Sequence, residues 1–161
     1  MKLKIALITA ALSLATTANF AAELATRLGL TLEVAKQISA AAEAEAAKNK
    51  WTVAIAIVDD GGHLIHLAKI DNTQYGSVDI AIQKAQTSAA FKRPTKVFED
   101  AIADGRNAII ALKGALPLEG GVPIMHDSKI IGAIGVSGVK STEDGQVAKA
   151  GADALAGIIG K

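Results

Sequence analysis

The chain has 161 residues, 50% of them hydrophobic, with 17 basic and 16 acidic side chains and no cysteine. Disulfides, thiolate zinc sites and iron–sulfur clusters are therefore excluded. A near-neutral chain with one Trp and one Tyr also lacks the basic, base-stacking surface that nucleic-acid binding needs.

Lys2 and Lys4 precede an apolar run from Ile5 to Ala15, and small and polar residues follow from Thr16 to Ala22. This layout predicts a secretory signal peptide over residues 1–21, cleaved to leave a single domain over 22–161. The run is too short for a membrane span, which takes about 20 apolar residues. Cleavage after Ala18 puts Thr16 at the −3 position; cleavage after Ala21 puts Asn19 there. With no Cys after the run, a lipid anchor on a mature N-terminal Cys is excluded, and the expectation is an exported protein, periplasmic or secreted. Loss of Lys2 and Lys4 reduces the 17 basic residues to 15 against 16 acidic ones, a formal net charge of −1. Without disulfides, such a domain relies on packing or on oligomerisation for stability. Little charge keeps its copies apart, so an oligomer larger than a dimer is expected.

Along the remaining chain, Leu32, Ala35, Ile38, Ala42 and Ala46 recur at the helical period and predict a helix over 31–49. Residues 51–58 read as a strand, with Val53, Ile55 and Ile57 alternating against Thr52, Ala54 and Ala56. The small residues of the second set predict a helix packed closely on that face. Asp59-Asp60-Gly61-Gly62 is a turn signal and 63–70 the returning strand of a hairpin. Ser77 is expected to cap a helix reaching Phe91. Pro94 interrupts the chain, and Thr95 is expected to cap a shorter helix through Ala103. The run 107–112 predicts a strand. Residues 122–125 and 129–137 predict a second hairpin turning at His126-Asp127-Ser128. Ser141-Thr142-Glu143-Asp144 has the form of a capping box opening a last helix, with Val147, Ala150, Leu155 and Ile158 on its apolar face. Hairpin-linked strands with helices in separate runs predict an α+β domain on an antiparallel sheet flanked by helices.

No motif of known catalytic mechanism is present, and the candidate residues each have a structural reading beside the chemical one. His63 and His66 stand three apart in a predicted strand, so they point to opposite faces and cannot chelate one metal together. His63 follows a Gly-Gly turn, where one imidazole suits an axial haem ligand or a plain exposed polar residue. Glu119, beside Gly120 and Gly121, fits either a general base over a concavity lined with backbone N–H groups or the rim of a tight turn. Ser137, between Gly135 and Gly138, lacks the spacing of a nucleophile elbow. Lys92 and Arg93 before Pro94-Thr95 make an anion site beside a helix start, for a haem propionate or a small carboxylate, or else a solvated corner. Gly132, Gly135 and Gly138 interrupt an apolar, strand-like run, which predicts close approach there by a neighbouring element or a ligand.

From about Leu30 onward the chain resembles the GlcG/HbpS family of small haem-binding-type proteins. The matching pieces are residues 58–64 (Val-Asp-Asp-Gly-Gly-His-Leu), Ala81 to Ala85 with Phe91-Lys92-Arg93-Pro94-Thr95, and 118–124 (Leu-Glu-Gly-Gly-Val-Pro-Ile). Residues 131–138 (Ile-Gly-Ala-Ile-Gly-Val-Ser-Gly) and 144–151 (Asp-Gly-Gln-Val-Ala-Lys-Ala-Gly) complete the set in family order. The resemblance implies a profilin-like α-β-α fold, higher homo-oligomers including octamers, and haem binding in exported members. It also implies a role at the haem iron for Thr95. Two function classes follow. One is a non-enzymatic haem-binding or haem-sensing protein, with Thr95 or His63 at the iron, Lys92 and Arg93 near the propionates, and Glu119, Gly120 and Gly121 around the ligand. The other is a small-carboxylate-binding protein or an enzyme using Glu119, Ser137 and Arg93 in a glycine-lined pocket.

Overall fold

A computed structural model describes residues 22–160; the predicted signal peptide lies outside the described residues. Helix α1 covers Leu32–Lys48, within the predicted 31–49, and the Thr31 hydroxyl accepts from the Val34 N–H to cap it. Strands β1 (Ala54–Asp59) and β2 (Leu64–Lys69) form the first hairpin. Helices α2 (Ser77–Phe91) and α3 (Lys96–Ala103) follow. Strands β3 (Gly121–His126) and β4 (Lys129–Ser137) form the second hairpin, then come α4 (Ser141–Asp153) and the short α5 (Leu155–Ile158). The four strands make one antiparallel sheet in the order β2-β1-β4-β3. Asp127 and Ser128 both adopt positive φ, 46° and 60°, which matches the twist of a two-residue hairpin turn.

The period-two pattern of β1 sorts the core into two layers. Ile55 and Ile57 face α1 and α4, where Ile38, Ala42, Ile134, Val136 and Val147 close the larger cluster. Ala54, Ala56 and Val58 face α2, whose Ala81, Ala85 and Ala89 pack on them and on Ala133. Small residues on both surfaces bring α2 close to the sheet. The glycine repeat of β4 belongs to this packing. A Cβ on Gly135 would overlap the Ala81 carbonyl oxygen and stand 2.5 Å from the Ala85 nitrogen. On the opposite face, a Cβ on Gly132 would overlap the Val58 carbonyl oxygen and stand 2.5 Å from Leu30 Cδ1. The close neighbours are backbone and core side chains of the fold itself.

Four local expectations are corrected. Residues 107–111 form a 3-10 turn rather than a strand; Ile109 is buried while Ile110 stays 69% exposed, and no sheet edge lies there to pair with. Ser77 is the first residue of α2 rather than its cap, and its hydroxyl accepts from Gln74 Nε2. Thr95 holds the cap position of α3, but its oxygen is turned to another donor, described below. The α4 capping arrangement begins one residue earlier: Lys140 is the cap position and its N–H donates to Glu143, while Asp144 Oδ1 accepts from the Val139 N–H.

Candidate functional site

The fold distributes the candidate residues over three clefts and leaves Thr95 and Ser137 buried outside them. Lys92 ends that helix in the left-handed conformation, φ 54° and ψ 41°. This turns the chain so that Lys92 and Arg93, adjacent in sequence, face different clefts.

Lys92 lines a cleft of about 440 Å³. Its cationic wall is Arg27, Lys92 and Lys129, its apolar wall includes Leu28, Ala89 and Ile131, and Asp60 contributes its one carboxylate. Asp60 belongs to the β1–β2 turn, which is tied to α2 by a bond from Gln86 Nε2 to the Gly62 carbonyl. On the same turn stands His63. Asp59 Oδ1 accepts from the N–H groups of Gly61 and His63, and its Oδ2 lies 3.3 Å from His63 Nδ1. Desolvation opposes ionisation of Asp59, but the bonds from His63 and Gly61 outweigh it and hold the carboxyl below its ordinary range. The His63 side chain is 84% exposed. With a carboxylate on Nδ1, its Nε2 is left open to solvent, the arrangement in which imidazole ligates a metal.

Arg93 lines a second cleft of about 310 Å³ with Phe91, Phe98 and Arg106. Its Nε donates to the Phe91 carbonyl, and its guanidinium sits 5.9 Å from the centre of the Phe98 ring. Thr95 reaches neither cleft. It is fully buried, its hydroxyl accepts from the Gly121 N–H at 2.9 Å, and its own N–H donates to the Gly121 carbonyl at 3.0 Å. The Pro94-Thr95 corner is in this way stitched to the start of β3.

The third cleft, about 270 Å³, gathers Glu119, Gly120 and Gly121 with Lys96 and Gly145. Glu119 lies over α4: a Cβ on Gly145 would stand 2.5 Å from Glu119 Oε1. Burial, helped by Glu99 and Asp100 and opposed by Lys96, pushes its carboxyl above the ordinary value. Gly120, at φ 127°, stands where a side chain would strike the Val136 carbonyl and Lys84 Nζ, so it too is a packing glycine. Ser137 is buried against Ser77, with 3.4 Å between the two hydroxyls. Neither Ser137 nor Arg93 lines this cleft.

Beneath it lies a pair that sequence reading missed. Lys84, 2% exposed, donates from Nζ to Asp144 Oδ2 at 2.8 Å and to the Val136 carbonyl at 3.0 Å. Burial pushes the Asp144 carboxyl above its ordinary value, and the Lys84 bond and charge offset only part of that. The signal was a Lys set among Ala81, Ala85 and Ser88 on the small-residue face of α2. Among the described residues, no group of three His, Cys, Asp or Glu side chains converges as a metal cluster, and no helix is long and apolar enough to cross a membrane.

The architecture is a single α+β domain with helices on both faces of a four-stranded antiparallel sheet. The chain belongs to the HbpS-like family: the family described as "Haem degrading protein HbpS-like" matches residues 30–153. It is 44% identical over 112 residues to Protein GlcG of Escherichia coli strain K12, spanning 70% of this chain and 84% of that one. Its fold matches the crystal structure of a double mutant of Streptomyces reticuli HbpS with a TM-score of 0.76 at 31% identity, over 89% of this chain and 99% of that one. A PduOC:Heme complex matches with a TM-score of 0.72 at 25% identity, over 79% and 95% of the two chains. These findings agree with the family and the fold that the motifs indicate, and they attach a haem-related role to the family.

Proposed function

We propose that this protein binds haem, non-enzymatically, at the end of the sheet where the β1–β2 turn, Lys92 and Lys129 meet. The observation that carries the reading is the Asp59–His63 pair, an exposed imidazole with a carboxylate on one nitrogen, on the same turn as the cationic cleft. His63 offers the axial nitrogen, Lys92 and Lys129 the charge for propionates, and Leu28, Ala89 and Ile131 an apolar wall. The cleft residues suit the propionates and a porphyrin edge, and His63 stands outside the cleft lining on the turn that carries Asp60. Haem, when bound, supplies iron-centred redox chemistry. Thr95, the other candidate for the iron, has its oxygen enclosed and already bonded to Gly121; ligation by it requires that corner to open. The relative solved as a haem complex supports the same reading.

Haemin titration followed in the Soret region tests this. The wild type should bind saturably, and absence of saturable binding overturns the haem reading. His63→Ala should shift the Soret maximum; an unchanged spectrum removes His63 from the iron. Lys92→Ala with Lys129→Ala should weaken binding by about tenfold, since exposed charge pairs contribute up to about 1 kcal/mol each.

Export with removal of a signal peptide over residues 1–21 is part of the proposal, supported by the basic start, apolar run and small residues that follow. An intact mass retaining Met1 in secreted or periplasmic protein would refute it. A homo-oligomer larger than a dimer is proposed as well, supported by exposed Val97 and Leu112 lining the second cleft and by exposed Ile110 in the 3-10 turn. A monomeric mass by light scattering at micromolar concentration refutes that part.

A further inference from the structure

We propose that Arg27 is a ligand-binding residue carried on a hinged arm, residues 22–28, which closes over the cationic cleft as Arg27 exchanges Asp60 for a carboxylate of the bound molecule. The inference rests on the haem reading for the identity of that molecule and on geometry for the arm.

The hinge is visible in the packing. Leu30 is anchored: it packs against the larger core cluster, beside the space that Gly132 leaves open. At Gly29, no atom beyond its two chain neighbours comes within 4 Å of where a Cβ would stand. Beyond it residues 22–28 are exposed, Leu24 at 99% and Leu28 at 54%. Yet Arg27 and Leu28 form one wall of the cleft. Among the described residues, the polar contact that ties this arm to the body is Arg27 Nη1 to Asp60 Oδ2 at 3.3 Å, with the two side chains 78% and 34% exposed. An exposed pair of that kind holds a segment weakly.

Charge supplies the reason for exchange. Arg27, Lys92 and Lys129 face a single carboxylate, Asp60, and neither lysine has an ion-pair partner among the described residues. Two positive charges are left for a ligand, which matches the two propionates of haem. The planar guanidinium fork binds a carboxylate through two parallel bonds, a geometry that lysine cannot offer. Arg27 is the one such fork among the residues lining this cleft, and it sits on the exposed arm rather than on the sheet or α2.

Trypsin reads the arm directly, because the bond after Arg27 is its own cutting site. In the full mature chain, Asp60→Asn should speed release of the fragment beginning at Leu28 by several-fold without haemin, and saturating haemin should slow that cut by roughly fivefold or more in the wild type. Arg27→Ala changes an exposed side chain and leaves His63 in place. It should keep the wild-type Soret maximum while haemin passes to an excess of apomyoglobin about three- to tenfold faster. Haemin binding with no protection of the cut and an unchanged transfer rate in Arg27→Ala overturns the arm and leaves the haem reading standing. No haemin binding overturns the haem reading, and the arm is then judged on the ligand-free cut: equal rates in wild type and Asp60→Asn refute the Asp60 latch.

Discussion

Replacing Lys84 with Met leaves the volume of the side chain nearly unchanged but strips Asp144 of its counter-ion and the Val136 carbonyl of its donor. Both charged side chains are almost fully enclosed, 2% and 3% exposed, so water cannot replace what is lost. Removing one partner of such a pair costs about 3–5 kcal/mol, because the remaining charge is stranded. Against a total stability of about 5–15 kcal/mol, that is a drop of about 10 °C or more in Tm. The loss should depend on pH in a definite direction. Burial already holds the Asp144 carboxyl above its reference value of 3.8, so the folded state binds this proton more readily than the unfolded chain does. Its ionised form opposes folding, a cost absent at low pH that develops as pH rises from near 3.8 through the folded pKa. Without Lys84 the folded pKa rises further, so the deficit of the variant should be largest at pH 7 and should shrink toward pH 4. Urea unfolding followed by the fluorescence of Trp51, the single Trp of the chain, at both pH values measures it. Lys84→Met with Asp144→Leu should recover part of the loss, because it removes the stranded charge but leaves the Val136 carbonyl and the Val139 N–H without these partners. A deficit under about 1 kcal/mol at neutral pH, or one that does not change with pH, refutes the reasoning.

The glycines separate by what their neighbours can do. Gly135→Ala drives a methyl into the α2 backbone at Ala81 and Ala85, neither of which can yield locally, and should destabilise by about 3 kcal/mol in a thermal melt. Gly145→Ala meets the Glu119 carboxylate instead, which can swing away, and should cost about 1 kcal/mol or less while displacing Glu119, visible as a change in its carboxyl NMR shift. Thr95→Ala leaves the buried Gly121 N–H without its acceptor and should cost about 1–3 kcal/mol by urea unfolding, whereas Thr95→Ser should retain most of the stability.

Local sequence carried the layered fold because its signals are short in range. Thr31 caps α1 from within its own turn, and the alternation of Ile55 and Ile57 with Ala54 and Ala56 needs only the two-residue period of a strand to assign a large-residue and a small-residue face. The apolar run at 107–112 shows the limit of that logic: composition favoured a strand, but a strand exists only where an edge is free to pair, and the sheet ends elsewhere. The family was legible too, since its motifs are contiguous stretches in a fixed order.

The candidate site was only partly readable. His63 and Lys92 are separated by 29 positions, and it is the docking of α2 on the sheet, with Gln86 bonded to the Gly62 carbonyl, that brings the turn of one to the cleft of the other. Lys92 and Arg93 look like one cationic pair, yet the left-handed backbone at Lys92 points them into separate clefts. Thr95 had the residue type and position of a helix cap, and a donor 26 residues away took its oxygen instead. Lys84 and Asp144 stand 60 positions apart, and no local pattern announces that each is the other's buried counter-charge. Periodicities, turns and the family were legible along the chain, because these depend on sequential neighbours. The tertiary structure alone decided which charges share a cleft and which are enclosed, because desolvation and ion pairing depend on neighbours in space.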